Sequence, residues 1–150
     1  MNDPDTFDQQ IRRYVYDHFI KVGQAPTIAE TAVALTSSLS EVEAAYRRLA
    51  EGRALVLQAA TAEVLMAPPF SAVPTPFQVE VGDRSWWGNC IWDALGIPAM
   101  LKEDAKISTG CGDCNEAMVL TIKDEALLET SGLIHFALPA KQWWSNIVFT

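Results

Sequence analysis

The stretch WWGNCIWDALGIPAM, residues 86–100, sets Cys90 three residues ahead of Asp93. In a helix, residues three apart share a face, so the thiol and the carboxyl would sit side by side. Asn89 is a good N-cap residue, which predicts that Cys90 occupies the first helical turn. The helix dipole and free N–H groups there favour a thiolate, the form that attacks electrophiles and binds soft metals. Asp93 opposes this, because a neighbouring carboxylate disfavours a second negative charge and keeps a shared proton on the pair. A thiol and an acid sharing a proton can serve protonation chemistry. The same residues also read as a small core thiol beside a helix-start charge, since cysteine is often buried and aspartate is favoured in first turns. Trp86, Trp87 and Trp92 fit either reading, as core or as walls of an apolar pocket.

The other two cysteines, Cys111 and Cys114, stand in C-x-x-C spacing within STGCGDCN. One such pair is half a zinc site, and a second ligand pair is not evident. The strand-to-helix context of a thioredoxin-like motif is also missing. His18 and His135 fall in apolar helical and strand patterns, which predicts core histidines rather than ligands.

The whole chain sets bounds on these sites. Its 150 residues are 49% hydrophobic and 20% charged, enough to bury a core in one domain or in two small ones. The formal charge of -8 argues against nucleic acid as a partner. Within residues 1–57, six basic side chains face eight acidic ones. Arg47, Arg48 and Arg53 suit either phosphate contact or the C-terminal end of a helix dipole. The opening MNDPDTFDQQ holds three aspartates and no lysine or arginine, unlike a secretory leader, and no apolar run is long enough to span a bilayer. The expectation is a cytoplasmic chain with no membrane partner. Three cysteines in a reducing compartment read as ligands, nucleophiles or core fillers.

The elements that must position these residues follow from periodicity and caps. Ile11, Tyr14, Val15, Phe19 and Val22 recur at helical spacing until Gly23. Thr27 with Glu30, and Ser38 with Glu41, form capping-box patterns that open two more helices. The first leads into Val33 and Leu35, and the second carries Val42, Ala45, Tyr46 and Leu49 and ends at Gly52. ALVL and EVLMA then read as a hairpin, so residues 7–67 predict three helices and a hairpin, the winged-helix plan. Residues 68–77 carry four of the eight prolines. This predicts a stiff connector and excludes a central strand. Beyond it, QVEV reads as a strand, NCIWDALGIPAM as a short helix ended near Pro98, and AKIST, AMVLTI and LIHFALP as strands, with a helical turn at KQWW. The second half is therefore α+β, and residues 78–150 predict a mainly antiparallel sheet with the Cys90 helix against it.

GNCIWDALGIPAML, followed by DAKISTGCGDCNEAMVLTI, resembles the organomercurial (alkylmercury) lyase family: a cysteine, an aspartate three residues on, a helix ending near a proline, and a second cysteine about twenty residues later. The resemblance extends over most of the chain. It implies a winged-helix-like segment over residues 1–67 acting as a structural cover, a Pro-rich connector over 68–77 and a lyase-like α+β core over 78–150. It also implies that Cys90 captures mercury while Asp93 passes a proton to the carbon. Mercury is then substrate and product, no cofactor is required, and free thiols or a mercuric-ion acceptor protein take the ion away. The family's second catalytic cysteine lies just beyond a segment like WWSNIVFT, and no cysteine follows Cys114 here. The expectation is a truncated form or a homologue without that thiolate, with Cys111 or Cys114 in its place or turnover impaired. Cys90, Asp93, Cys111 and Cys114 are thus the expected metal-contacting set, with Cys90 and Asp93 the catalytic pair. Two non-enzymatic alternatives are a soft-metal-binding module and a winged-helix metal-responsive regulator.

Overall fold

The computed structural model describes residues 4–129 and 131–148; the ends of the first and last segments read above, residues 1–3, 149 and 150, lie outside the described residues, as does residue 130. Three helices open the chain: α1 (Pro4–Val22), α2 (Ile28–Ala34) and α3 (Leu39–Glu51). Both capping boxes form as expected. Thr27 and Ser38 accept from the backbone of Glu30 and Glu41, whose carboxylates return to the cap backbone N–H groups. Helix α1 buries Ile11, Val15 and Phe19 against α3, which offers Val42, Ala45 and Tyr46. Val22 and Val33, expected on apolar faces, are exposed.

A hairpin of β1 (Val56–Leu57) and β2 (Val64–Ala67) follows and runs directly into the main sheet. The continuation is β3 (Phe70–Ser71), which pairs with β2 and with β5 (Arg84–Gly88). The exclusion of a central strand from 68–77 is therefore corrected. Phe70 and Ser71 lie between the proline pairs and keep both backbone donors, which is all that a two-residue strand needs.

The remaining strands are β4 (Gln78–Val81), β6 (Ala105–Gly110), β7 (Ala117–Lys123) and β8 (Ala126–Leu127). Among the described residues they complete an eight-stranded sheet in the order β1-β2-β3-β5-β4-β6-β7-β8, with every pairing antiparallel. Strand β5 had no counterpart in the sequence reading, because RSWWG alternates too little to register. LIHFALP, expected as a strand, forms none. Leu133 and Ile134 are exposed and Gly132 takes a positive φ, so this apolar run has neither a buried face nor a ladder partner. The helical turn at KQWW is a 3-10 helix, Ala140–Ser145.

Helix α4 (Ile91–Leu101) packs across β5, β4 and β6 and buries Ala94, Ile97 and Pro98. Pro98 does not end it. The ring sits on the buried face, and the helix runs on to a left-handed cap at Lys102, whose N–H reaches the Pro98 carbonyl. Burial of the ring offsets the hydrogen bond that proline cannot donate.

Gly88 lets α4 lie this close to the sheet. A Cβ built there would stand 2.8 Å from the Ala94 nitrogen and 2.9 Å from its Cα, a backbone collision that no rotamer relieves. Gly88→Ala should therefore cost about 1–3 kcal/mol in denaturant unfolding. Gly112→Ala, which meets nothing within 4 Å, should leave the midpoint nearly unchanged.

Candidate functional site

Cys90 is the N-cap of α4, with extended backbone, and Asn89 is not. The expected roles shift by one residue because the Asn89 side chain is engaged elsewhere. Its Nδ2 donates to Asp93 Oδ2 at 2.9 Å and to the carbonyl of Phe70 at 3.2 Å, with that of Pro69 at 3.4 Å. Asn89 thus links the connector to the carboxyl it holds. Its Oδ1 is buried and has no partner among the described residues.

The Cys90 thiol and the Asp93 carboxyl are both half-buried, and they meet at the first turn of α4. The backbone N–H groups of Asp93 and Trp92 face the sulfur and favour a thiolate, although neither closes a full capping hydrogen bond. Burial outweighs them. Desolvation, with the nearby Asp93 charge adding to it, pushes the Cys90 thiol above its ordinary range. The lowered thiol expected from the helix N-terminus is thereby corrected, since half-burial removes more solvation than two N–H groups return. Burial likewise pushes the Asp93 carboxyl up, against the pull of the Asn89 amide. The pair therefore holds its protons more firmly than the same groups in water.

Tyr16 of α1 was not singled out from the sequence. Its hydroxyl donates to the Pro68 carbonyl at 2.8 Å, and it lies close enough to Asp93 for the carboxylate to help raise its pKa, after burial as the main cause. Nothing in the local pattern marks it, because the contact spans more than fifty residues. Two of the tryptophans weighed as core or pocket wall part ways. Trp86 is buried and donates to the Phe19 carbonyl at 2.7 Å, while Trp92 is 65% exposed. Two surface hollows, one over β4, β6 and β7 and one between α1 and α2, touch neither Cys90 nor Asp93.

Cys111 and Cys114 come together in the turn between β6 and β7. Backbone N–H groups of Cys114 and Asp113 and the Cys114 thiol all approach the Cys111 sulfur and pull its pKa below the ordinary thiol range. Among the described residues, no three histidine, cysteine, aspartate or glutamate side chains gather as a metal-ligating group, so the two pairs stay separate. The histidines are not core residues. His135 is exposed, and His18 is half-buried with Nδ1 2.9 Å from the Gln24 carbonyl. The arginines weighed as phosphate contacts have partners within the chain: Arg47 with Glu43, Arg48 with Asp8, and Arg53 over the Trp144 ring.

Residues 70–150 match the alkylmercury lyase family, and this segment holds Cys90, Asp93, Cys111 and Cys114. The chain belongs to the alkylmercury lyase family. The fold agrees with a solved structure described as the mercury-bound form of MerB2, at a TM-score of 0.65 and 23% identity. The match covers 83% of this chain and 59% of that one, so the chain spans under two thirds of the length of its relative. No protein of curated function matches it in sequence. Among the described residues, no helix is long and apolar enough to cross a membrane.

The raised Asp93 carboxyl has a consequence for stability. A folded-state pKa above the unfolded value means that the native state binds more protons in the window between the two, so stability falls as pH rises through that window. Asp93→Asn, which can still accept from Asn89, should remove this loss. Unfolding free energies of the two proteins should differ by an amount that grows with pH from the ordinary aspartate range upward and then levels off.

Proposed function

We propose that this protein captures organomercury at Cys90 and cleaves the carbon–mercury bond with a proton carried by Asp93. The observation that carries this reading is the half-buried thiol and half-buried carboxyl on one turn of α4, in a chain of this family. Cys90 sulfur displaces a ligand from the organomercurial, and the thiol proton leaves as the sulfur–mercury bond forms. A soft thiolate suits this soft metal. Asp93 then protonates the carbon, the carbon–mercury bond breaks, hydrocarbon departs, and Hg(II) remains on sulfur. A raised pKa favours the protonated carboxyl that this step requires. No cofactor takes part in the scheme, and free thiols or a mercuric-ion acceptor protein remove the product.

The helical segment is read as a winged-helix-like cover over this site, with Tyr16 close enough to Asp93 to feel its charge. The reduced state of all three cysteines suits a cytoplasmic setting. A capture-only reading is supported by one observation, the absence of a third ligating side chain beside Cys90 and Asp93 among the described residues. Without a second thiolate donating electrons to the metal, bond cleavage slows while capture persists.

Two variants separate the steps. In a Cys111→Ser, Cys114→Ser background, Cys90→Ser should abolish stoichiometric methylmercury capture, because a hydroxyl is a hard and poorly ionised ligand. Asp93→Ala should keep capture and lose about 10²–10⁴-fold in methane release, the usual worth of a positioned acid. Unchanged capture when all three cysteines are replaced would move the site elsewhere. Capture by the wild type with no methane release, even with free thiol, would leave the binding module as the function.

A further inference from the structure

The C-x-x-C turn is a built feature that the reaction at Cys90 does not use. It is closed by two backbone hydrogen bonds, from Cys111 N–H to the Glu116 carbonyl and from Asn115 N–H to the Cys111 carbonyl, each 2.8 Å. Asn115 takes a left-handed φ of 58° and folds back against Gly110, where an added Cβ would lie 3.0 Å from Asn115 Oδ1. This closure brings the Cys114 thiol to the Cys111 sulfur, with two backbone N–H groups on the same atom. Cys111 is half-exposed, Cys114 is exposed, and neither is in a disulfide.

Ligand count decides what such a pair can hold. Zinc in structural sites takes four ligands, and no third histidine, cysteine, aspartate or glutamate joins the two thiols among the described residues. A soft ion satisfied by two thiolates needs nothing more.

The sheet register relates this turn to Cys90. Gln78 of β4 pairs with Trp87 of β5 on one side and with Ser108 of β6 on the other. Strands β5 and β6 are both antiparallel to β4 and so run in the same direction. Cys90 lies three residues past Trp87, and Cys111 three residues past Ser108. Both thiol sites therefore leave one end of the sheet at the same level, two strand spacings or roughly 10 Å apart along the row.

We propose that Cys111 and Cys114 form a second soft-metal site, a two-thiolate chelate for Hg²⁺ that takes over the ion first held at Cys90. Loading replaces two S–H bonds with two S–Hg bonds and releases two protons, and no electrons move. In the transfer a free thiol carries the ion across: its sulfur replaces Cys90 on mercury, Cys90 leaves as a thiolate that regains a proton, and the two turn thiols then displace the carrier, whose sulfur regains a proton in turn. The acceptor role rests on the proposed function, whereas the chelate stands without it.

The test uses the full chain and Hg²⁺ alone. Cys90→Ser, with Cys90→Ala as a second background should the serine misfold, should retain one Hg²⁺ per chain against a large excess of a small monothiol. Two thiols should vanish from thiol titration for each ion bound. Adding Cys114→Ser should weaken retention by about 100-fold or more, because one arm of the chelate is gone. Equal retention by the double variant would overturn the chelate, and equally tight Zn²⁺ binding by Cys90→Ser would overturn the two-ligand assignment. For the relay, wild-type chain given one equivalent of Hg²⁺ is alkylated and each cysteine read by mass spectrometry. Alkylation at Cys90 with Cys111 and Cys114 protected is expected, and the reverse pattern would overturn the transfer. Methane release from methylmercury is a separate readout, so loss of carbon–mercury cleavage would not be mistaken for loss of the second site.

Discussion

Phe70 joins the two halves of the molecule. Its ring stacks on Phe19 of α1, with centroids 5.2 Å apart and planes 11° from parallel, and it also meets Tyr16 and Trp86. Each aromatic pair adds roughly 0.5–1.5 kcal/mol beyond the burial itself. The backbone of the same residue pairs with Gly88 in the sheet and offers its carbonyl to the Asn89 amide. One residue thus anchors α1 to the sheet and fixes the group that holds Asp93. Any shift of Phe70 moves α1 and the carboxyl together.

The parts of this arrangement that sequence revealed are those written in local chemistry. The capping boxes at Thr27 and Ser38, the stop at Gly52 and the strand QVEV depend on neighbours a few residues away, and they formed as read. The pairing of Cys90 with Asp93 is local in the same sense. Pro98 and LIHFALP misled because tertiary context outranked the local rule: a buried ring kept one helix going, and an apolar run with no partner strand stayed irregular. Phe70 as a central strand and Tyr16 beside Asp93 had no local signal, since both arise from contacts between segments far apart in sequence.

The thiol at the site illustrates how magnitude decides between two valid effects. A helix N-terminus lowers a thiol pKa, and burial raises it. At Cys90 the N–H groups stop short of full hydrogen bonds while the sulfur loses half its exposure, so burial prevails. At Cys111 the balance is opposite, because the turn closes N–H groups onto a sulfur that stays near water. Two cysteines in one small chain thereby acquire opposite acidities from the same two ingredients.

The Asn89 amide presents its nitrogen, not its oxygen, to Asp93. Its nitrogen faces Asp93 because the carbonyls of Pro69 and Phe70, on its other side, can only accept. An N–H donor binds an ionised carboxylate more strongly than a neutral acid. The contact therefore tightens as Asp93 gives up its proton, stabilising the state after delivery more than the state before it. Burial works the other way and outweighs the amide, so the carboxyl ends above its ordinary range and its proton is held by desolvation against the pull of Asn89.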